Sequence, residues 1–562
     1  MTRSRRPFPL SPAPWLRRYR RADLAPNLIA GLTVAVMLVP QGLAYALLAG
    51  MPPVAGLIAS TLPIVAYALI GSSRALAVGP VAIVSLLTFE AVHRLAEPGS
   101  AEYLSLAATL ALLVGALQLV LGLVRAGVVV NFLSHAVVSG FTSAAAITIA
   151  LSQLRSLVGV PLDGSHPLRT VVDAVARIGE VHLPTLVVGA LAIALLLAGK
   201  RVARRFPGPL LVVVLGTGAV ALLGLDGAGV AIVGPVPGGF PAFAWPAPRA
   251  EDVVALVPTA LTIAFVGFME SIAVARALAT RDRERVDADR ELAGLGFANL
   301  VAGVIAAFPV TGGFSRSAVN AQAGARSGLA SIVTALLVLV TLAFLTPLFH
   351  DLPRAVLGAI VVVAVIGLID LGEPRHLWAV RPADGATWAI TFAATLVIGI
   401  EPGILIGVAT SLGLFVVRSA FPHVARLGWN RDEALWRNVR RYPGVALVPG
   451  VEILRFDAAL YFANAGFLRD TVERTLAERP ETERLVLDLS GAHDMDAVGV
   501  ETLLALLVDL EQRGVATAAV GLKGPVRDVL DRARWTSERR AQVAWPSIEH
   551  VLDAWGIDRP TR

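Results

Sequence analysis

Long apolar runs, broken at short intervals by glycine, proline and charge, fill the first 420 residues of the chain. About 20 apolar residues in succession suffice to cross a bilayer as a helix. On that measure the pattern predicts passages over residues 28–48, 54–70, 75–92, 104–124, 133–152, 182–199, 208–225, 253–275, 291–307, 308–324, 329–348, 354–370, 385–400 and 402–418, fourteen in all. Two of them do not read as ordinary helices. ALAVGPVAIVSLL (75–87) and FPVTGGFSRSAVN (308–320) each have a short extended lead-in, a Gly-Pro or Gly-Gly break and then a small-residue helical run. Proline suits a helix start, because the N–H it lacks has no intrahelical partner there. Gly312 and Gly313 permit a turn or a close backbone approach. Both stretches read as half-helices beginning near the bilayer midplane, where irregular backbone is tolerated only if it is buried in protein or lines a cavity.

The apolar pattern also repeats. Residues 32–46, LTVAVMLVPQGLAYA, align with residues 261–275, LTIAFVGFMESIAVA, so that Gln41 falls opposite Glu270. Each copy precedes one of the interrupted passages. Seven passages per half is an odd number, so the second half must be inverted, and paired interruptions in inverted halves point to a transporter's binding site. The fold expected is a polytopic α-helical membrane protein of about 14 spans in a 7+7 inverted repeat, with two half-helices meeting at the midplane.

After residue 420 the pattern changes. Residues 421–562 carry 40 charged residues in 142 positions, against 50 in the first 420. VEILRFDAALYF reads as a strand, AGFLRDTVERTLAE as a helix, RLVLDLS as a strand, GVETLLALLVDLEQRG as a helix and ATAAVGL as a strand. That alternation predicts a small mixed sheet covered by helices. The domain organisation expected is a basic arm (1–24), a membrane domain (25–420), a linker (421–445) and a soluble α/β domain (446–562).

Composition narrows the class. The chain has 562 residues, 56% hydrophobic and only 16% charged, with a net charge of +6. Lysine and arginine lie beside the apolar passages, 22 on one side and six on the other, with clusters in the arm and at 200–205 and 276–290. The positive-inside rule puts the richer side, both termini and the tail in the cytoplasm, as in a multi-pass inner-membrane protein. The high pI of 10.1 is therefore no sign of nucleic-acid binding. With no cysteine, disulfides and thiolate metal sites are excluded. No HExxH pair, nucleophile elbow or carboxylate dyad occurs, so neither an enzyme, a metal site nor a cofactor is expected. GPVPGGF (234–240) lacks the strand–loop–helix context of a phosphate loop, and His135 reads as a histidine packed within a span.

Arg316 is the one basic residue on neither side. Two opposed half-helix starts would each bring unpaired N–H groups and roughly half a positive charge, a ready-made anion site. Arg316 would add a fork suited to carboxylate or sulfate. Thr311, Ser315 and Ser317 would add hydroxyl donors, Val81 and Phe314 apolar walls. An ionisable group at that depth is functional by default, although pairing with backbone carbonyls is the alternative. Glu270 is the only acidic residue well inside a confident span. It could take up a proton as substrate arrives, hold sodium with backbone carbonyls, or form a permanent ion pair with Arg316.

VPQGLAYALLAGMPPVAGLIAS (39–60), GFTSAAAITIALSQL (140–154), FPVTGGFSRSAVNAQAGARSGLASI (308–332) and ILRFDAALYFANA (453–465) together resemble the SulP family of anion transporters, the sulfate-permease group. The resemblance implies a core and a gate domain, an elevator-type cycle, commonly a homodimer in the lipid membrane, and substrates such as sulfate, bicarbonate, chloride or dicarboxylates like fumarate. It implies an anion site built from the half-helix starts around Val81–Ala82 and Phe314–Arg316, lined by Gln41 and Glu270, and it favours H+ over Na+ as the coupling ion. With Gly313 and Ser317 from the reading above, the substrate-binding residues expected are Gln41, Val81, Ala82, Gly313, Phe314, Ser315, Arg316 and Ser317. The expected function is thus proton-coupled symport of a small anion. The alternatives are sodium coupling, an uncoupled exchanger or channel, and a membrane-anchored scaffold or sensor. The tail resembles the domain shared by sulfate transporters and anti-sigma-factor antagonists (STAS). Where that family commonly offers Ser or Thr after an Asp, HDMDAVGVET has Ala497 and Val498 after Asp496, so a scaffolding or dimer-stabilising role is expected rather than a phosphoswitch.

Overall fold

The computed structural model describes residues 13, 15–16, 19–127, 134–162, 167–202, 208–282, 286–533 and 535–558. Most of the basic arm, with residues 203–205 and 283–285 of the two basic clusters, lies outside the described residues. The chain divides into two units, Met1–Ser411 and Leu412–Arg562.

The first unit is helical. In chain order it holds α1 (Leu24–Leu48), α2 (Pro53–Ala59), α3 (Leu62–Ile70), β1 (Val78–Gly79), α4 (Ala82–Val92), α5 (Ala101–Leu123), α6 (His135–Ser152), α7 (Leu154–Val158), α8 (Pro167–Ala176), α9 (Leu183–Val202) and α10 (Gly208–Leu223). There follow α11 (Ala250–Asp282), α12 (Ala288–Val304), β2 (Thr311–Gly312), α13 (Phe314–Gln322), α14 (Leu329–Val340), α15 (Arg354–Ile366), α16 (Glu373–Val380), α17 (Pro382–Val397) and α18 (Ile400–Ala420), the last running into the second unit. Each predicted passage meets a helix or, at 75–92 and 308–324, a short strand followed by a helix. Among the described residues, seven helices are long and apolar enough to cross a membrane, while α4, α9, α10 and α15 are shorter apolar helices.

Three local features depart from the hydropathy reading. The second passage is two helices, because at Ser60 and Thr61 the hydroxyls turn back onto the carbonyls of Gly56 and Ile58 and Pro63 opens a new first turn. Helices α8 and α16 are short amphipathic segments between passages, where no apolar run announces them. His135 is not packed within a span: it is the first residue of α6, its side chain is 74% exposed, and its Nε2 lies 3.0 Å from Glu373 Oε1 on α16.

Close helix packing in this unit rests on small residues, as is usual where lipid offers no hydrophobic drive for helices to associate. The most extensive contact among the described helices is that of α5 with α12. A Cβ added to Gly115 would fall 2.6 Å from the backbone nitrogen of Leu300, and one added to Gly296 would fall 2.5 Å from that of Leu119. Asn299 on α12 then reaches Gln118 on α5, whose amide donates to the Ala264 carbonyl on α11. The three helices form one block.

The second unit is an α/β domain. Its sheet has strand order β4-β3-β5-β6-β7, formed by β3 (Val424–Asn430), β4 (Leu435–Asn438), β5 (Val451–Phe456), β6 (Arg484–Asp488) and β7 (Ala516–Val520). β4, β3 and β5 are antiparallel, and β5, β6 and β7 are parallel. Helices α19 (Ala465–Glu478), α20 (Ala497–Gln512), α21 (Gly524–Arg532), α22 (Ser537–Val543) and α23 (Ile548–Ala554) complete it. Residues 421–445 are therefore not a linker. They supply β3 and β4, whose apolar alternation is short and interrupted by charge, so hydropathy alone does not reveal them.

The α5–α12 contact generates a prediction. Gly296→Val forces side-chain atoms into the α5 backbone and should cost about 1–3 kcal/mol or more, seen as a lower melting temperature of the purified protein. Gly218→Ala, whose new Cβ meets nothing within 4 Å, should melt like the parent. Equal melting of all three would refute close packing of α5 on α12.

Candidate functional site

The two unwound lead-ins, far apart in the chain, pair with each other. Val78 opposes Gly312 and Gly79 opposes Thr311 in a two-stranded antiparallel ribbon. Side chains complete the backbone hydrogen bonding on both flanks. On the first lead-in, the Ala77 N–H donates to Ser317 Oγ (2.8 Å), the Ala77 carbonyl accepts from the Gly313 N–H (3.1 Å), and the Ala75 carbonyl accepts from Asn320 Nδ2 (3.1 Å). On the second, the Val310 N–H donates to Asn299 Oδ1 (2.7 Å) and the Gly312 N–H donates to Ser271 Oγ (2.9 Å). The loop before β1 is held from α12. Glu291, fully buried, accepts from the Tyr67 hydroxyl, the Ser72 N–H and hydroxyl, and the Ser73 N–H, at 2.7–2.8 Å.

From this ribbon α4 and α13 set out with starts unlike those of α5, α6 and α12, although α1, α2, α3, α14, α15 and α17 also begin without a side-chain cap. α5, α6 and α12 begin with Ser100, Ser134 and Asp287, whose side chains accept first-turn N–H groups. The residues preceding α4 and α13, Val81 and Gly313, provide no side-chain cap. Their first-turn N–H groups, and the positive end of each helix dipole, remain available to an anion.

Arg316 sits in the first turn of α13 and is 2% exposed. Its guanidinium lies against Gly79, the last residue of β1, and Gly313, which follows β2. A Cβ on Gly313 would stand 2.9 Å from Nη2 and 3.0 Å from Cζ, and one on Gly79 would stand 3.4 Å from Nη2. Gly79 also has φ +152°, a conformation side chains disfavour. Arg316 Nη1 donates to Gln41 Oε1 on α1 at 3.3 Å, while Nε and Nη2 are buried with no hydrogen-bond partner. A buried cation so poorly matched costs several kcal/mol unless a negative group completes it.

The structure brings the expected residues together and separates their roles. Gln41, Val81 and Ala82 are buried at the crossing of α1, α4 and α13. Phe314 and Ser315 are exposed on the first turn of α13. Two of the hydroxyls expected to be donors to substrate are already engaged: Ser317 donates to the Gly313 carbonyl (2.7 Å) and accepts from Ala77, and Thr311 donates to the Gly267 carbonyl (2.7 Å) beside Ser271. Both are struts of the ribbon, which leaves Ser315 as the accessible hydroxyl of the three. Glu270 lies on α11 next to Ser271, and its Oε2 is buried without a partner. It forms no ion pair with Arg316 within 4.0 Å, although the two charges interact electrostatically. Tyr45 interacts with both. Sequence reading missed Tyr45, though it stands one helical turn after Gln41 on the same face of α1. It also missed Asn320 and Asn299, whose partners are distant in the chain.

Residues 24–391 match the Sulfate permease family and residues 442–538 the STAS domain. The chloroplastic sulfate transporter 4.1 of Arabidopsis thaliana is 38% identical over 536 residues, covering 92% of this chain and 77% of that one. Human solute carrier family 26 member 6 is 37% identical over 487 residues, covering 82% and 64%. Among solved structures, the murine solute carrier 26 family member A9 anion transporter in the inward-facing state superposes with a TM-score of 0.89 at 27% identity, covering 96% of this chain and 93% of that one. The transmembrane domain of a cyanobacterial bicarbonate transporter, at 22% identity and a TM-score of 0.61 over 70% of this chain and all but 1% of its own (99% covered), shares the fold. With both its membrane unit and its C-terminal domain matched, the chain belongs to the sulfate permease family of multi-pass membrane anion transporters and carries a STAS domain.

Proposed function

We propose that the protein moves a small divalent oxyanion, sulfate first among the candidates, across its membrane at the Arg316 site, and that Glu270 takes up an accompanying proton. The observation that carries the reading is the buried guanidinium of Arg316, two of its nitrogens unpartnered, beside two uncapped helix starts. A tetrahedral dianion would accept the guanidinium fork and first-turn N–H groups at once. Relatives named as sulfate transporters favour sulfate within that class. Glu270 supports coupling because its carboxylate is near enough to feel the Arg316 charge yet is not consumed in an ion pair. Protonation there would offset part of the negative charge an anion brings in. The ribbon supports an elevator-type movement, since it ties both half-helices into one body that can shift with its bound ion.

Uptake of radiolabelled sulfate, bicarbonate and fumarate into proteoliposomes tests this. Each anion is run with an inward proton gradient, an inward sodium gradient or neither. Sulfate uptake should be accelerated by protons, and Glu270→Gln should abolish the acceleration. Arg316→Ala should lower uptake roughly 100-fold, as expected for losing charge-assisted hydrogen bonds of about 1.5–3 kcal/mol each. Sodium-driven uptake, or exchange indifferent to pH, would remove the proton role, and sulfate flux unimpaired in Arg316→Ala would remove the site.

Gly313→Ala gives a finer readout. The new methyl meets the flexible end of Arg316 and Val81 Cγ1 rather than the ribbon backbone, so the protein should fold with little change in melting temperature. Displacing the guanidinium should raise KM for sulfate severalfold while Vmax changes less, and an unchanged KM would contradict the assigned geometry.

Orientation follows from the basic residues, and the cysteine-free chain makes it simple to test. In intact cells a membrane-impermeant maleimide should label Glu97→Cys, in the loop after α4. Arg431→Cys, in the turn between β3 and β4, should react only after permeabilisation. The reverse pattern would invert the assignment of both termini to the cytoplasm.

A further inference from the structure

The C-terminal unit contains a cavity of about 330 Å³ formed by the start of β3, by β4 with the turn after it, and by the end of β5. Its chemistry is one-sided. Arg437, Arg441 and Arg455 line it together with His423, and Asp457 is its only acidic lining residue. Asp457 is itself saturated: it accepts Arg455 Nε at 2.6 Å, Arg455 Nη2 at 3.2 Å and His423 Nδ1 at 2.9 Å. Partial burial works to raise the Asp457 carboxyl, but the hydrogen bonds from Arg455 and His423 outweigh it and hold the group below the ordinary aspartate range. The carboxylate thus acts as a buttress that fixes one arginine and one imidazole, with the His423 Nε2 left over. Arg437 is fixed as well, by Glu433 Oε2 at 2.5 Å and by lying 5.0 Å over the Tyr442 ring. Arg441 follows in the turn after β4, exposed, with its backbone N–H bonded to the Asn438 carbonyl.

A solvated basic surface would scatter its charges on flexible stems. Here two of the three guanidinium groups are held by carboxylates and all three converge with an imidazole on one concavity. We propose that this cavity is a second anion site, separate from the Arg316 site, for a phosphate-type dianion, either free phosphate or the headgroup of an acidic phospholipid. Planar guanidinium forks match the oxygens of such a group, and the three of them leave a net positive charge after Asp457 and Glu433, which pair with Arg455 and Arg437, are counted. The site gives the C-terminal unit a ligand of its own.

Isothermal titration of the detergent-solubilised full chain tests it with two probes, inorganic phosphate and dihexanoyl phosphatidic acid. The Arg316→Gln protein is titrated alongside, so that the membrane site cannot account for the heat. Saturable binding of at least one probe is expected, retained in Arg316→Gln and weakened about tenfold in Arg441→Gln, the loss expected for one charge-assisted contact. Arg441→Lys, which keeps the charge but not the fork, should fall between, and both variants should melt like the parent. Binding of phosphate would identify a free oxyanion as the ligand, and binding of phosphatidic acid alone would identify a lipid headgroup. Absence of saturable binding by either probe, or binding indifferent to Arg441→Gln and to Arg437→Gln, would overturn the proposal. Loss of binding in Arg316→Gln with retention in Arg441→Gln would assign the heat to the membrane site and overturn it equally.

Discussion

Backbone N–H and C=O groups inside a membrane must find partners within the protein. In this protein that constraint is met by the ribbon in which β1 and β2 pair across the two halves of the membrane unit. Neither lead-in can be satisfied alone, because each is too short and too extended to bond internally. Joined, they need only a few side chains at their flanks, supplied by Ser317 and Asn320 from α13 and by Ser271 and Asn299 from α11 and α12. The half-helices begin where they do because the ribbon ends there. The uncapped starts, the glycines that admit the guanidinium and the location of Arg316 all follow from that pairing.

The same constraint explains a division of labour among the polar residues. Two of those that hold the ribbon are well used: Asn299 donates to the carbonyls of Leu295 and Val310 and accepts from Val310 N–H, and Ser317 both donates and accepts. The two ionisable groups beside it are not. Arg316 Nε and Nη2 and Glu270 Oε2 are buried and unpartnered. Sequences are consistent across levels except where function asks otherwise, and the two ionisable groups nearest the ribbon are among the buried polar groups left without a partner.

Much of the architecture was legible because a bilayer imposes a simple rule on composition. Apolar length located the passages, and Gly79-Pro80 and Gly312-Gly313 marked the two that are unwound. What stayed hidden depends on partners remote in sequence. Nothing local distinguishes Ser315, exposed on the first turn, from Ser317, a strut two residues later; the difference is Ala77, which comes from the other half of the unit. Tyr45 left a trace in its spacing from Gln41, but an aromatic one turn along an apolar helix is more often packing than site. β3 and β4 read as a linker in sequence because strands of seven and four residues with arginine in each carry little periodic signal. The mirrored alternation farther along, where VEILRF and RLVLD are almost wholly buried, was plain.

Burial alone would not have singled out Arg316, since other charges in this chain are as deeply buried. Glu291 is fully buried, yet four donors surround it and it serves as an anchor. Glu452 in the C-terminal unit is 4% exposed and takes both arms of Arg426 at 2.5 and 2.6 Å. Each of these charges is complete within the fold, and removing its partners would strand it. Arg316 is as buried as they are but has one hydrogen bond, to a neutral amide. A fold that can satisfy Glu291 four times over has the means to satisfy an arginine, and the uncapped helix ends beside it make the local field more positive instead. Donors gathered around a cation do nothing for that cation's stability. They lower the free energy only of a negative ion entering among them, and this makes the site's incompleteness an argument about its ligand.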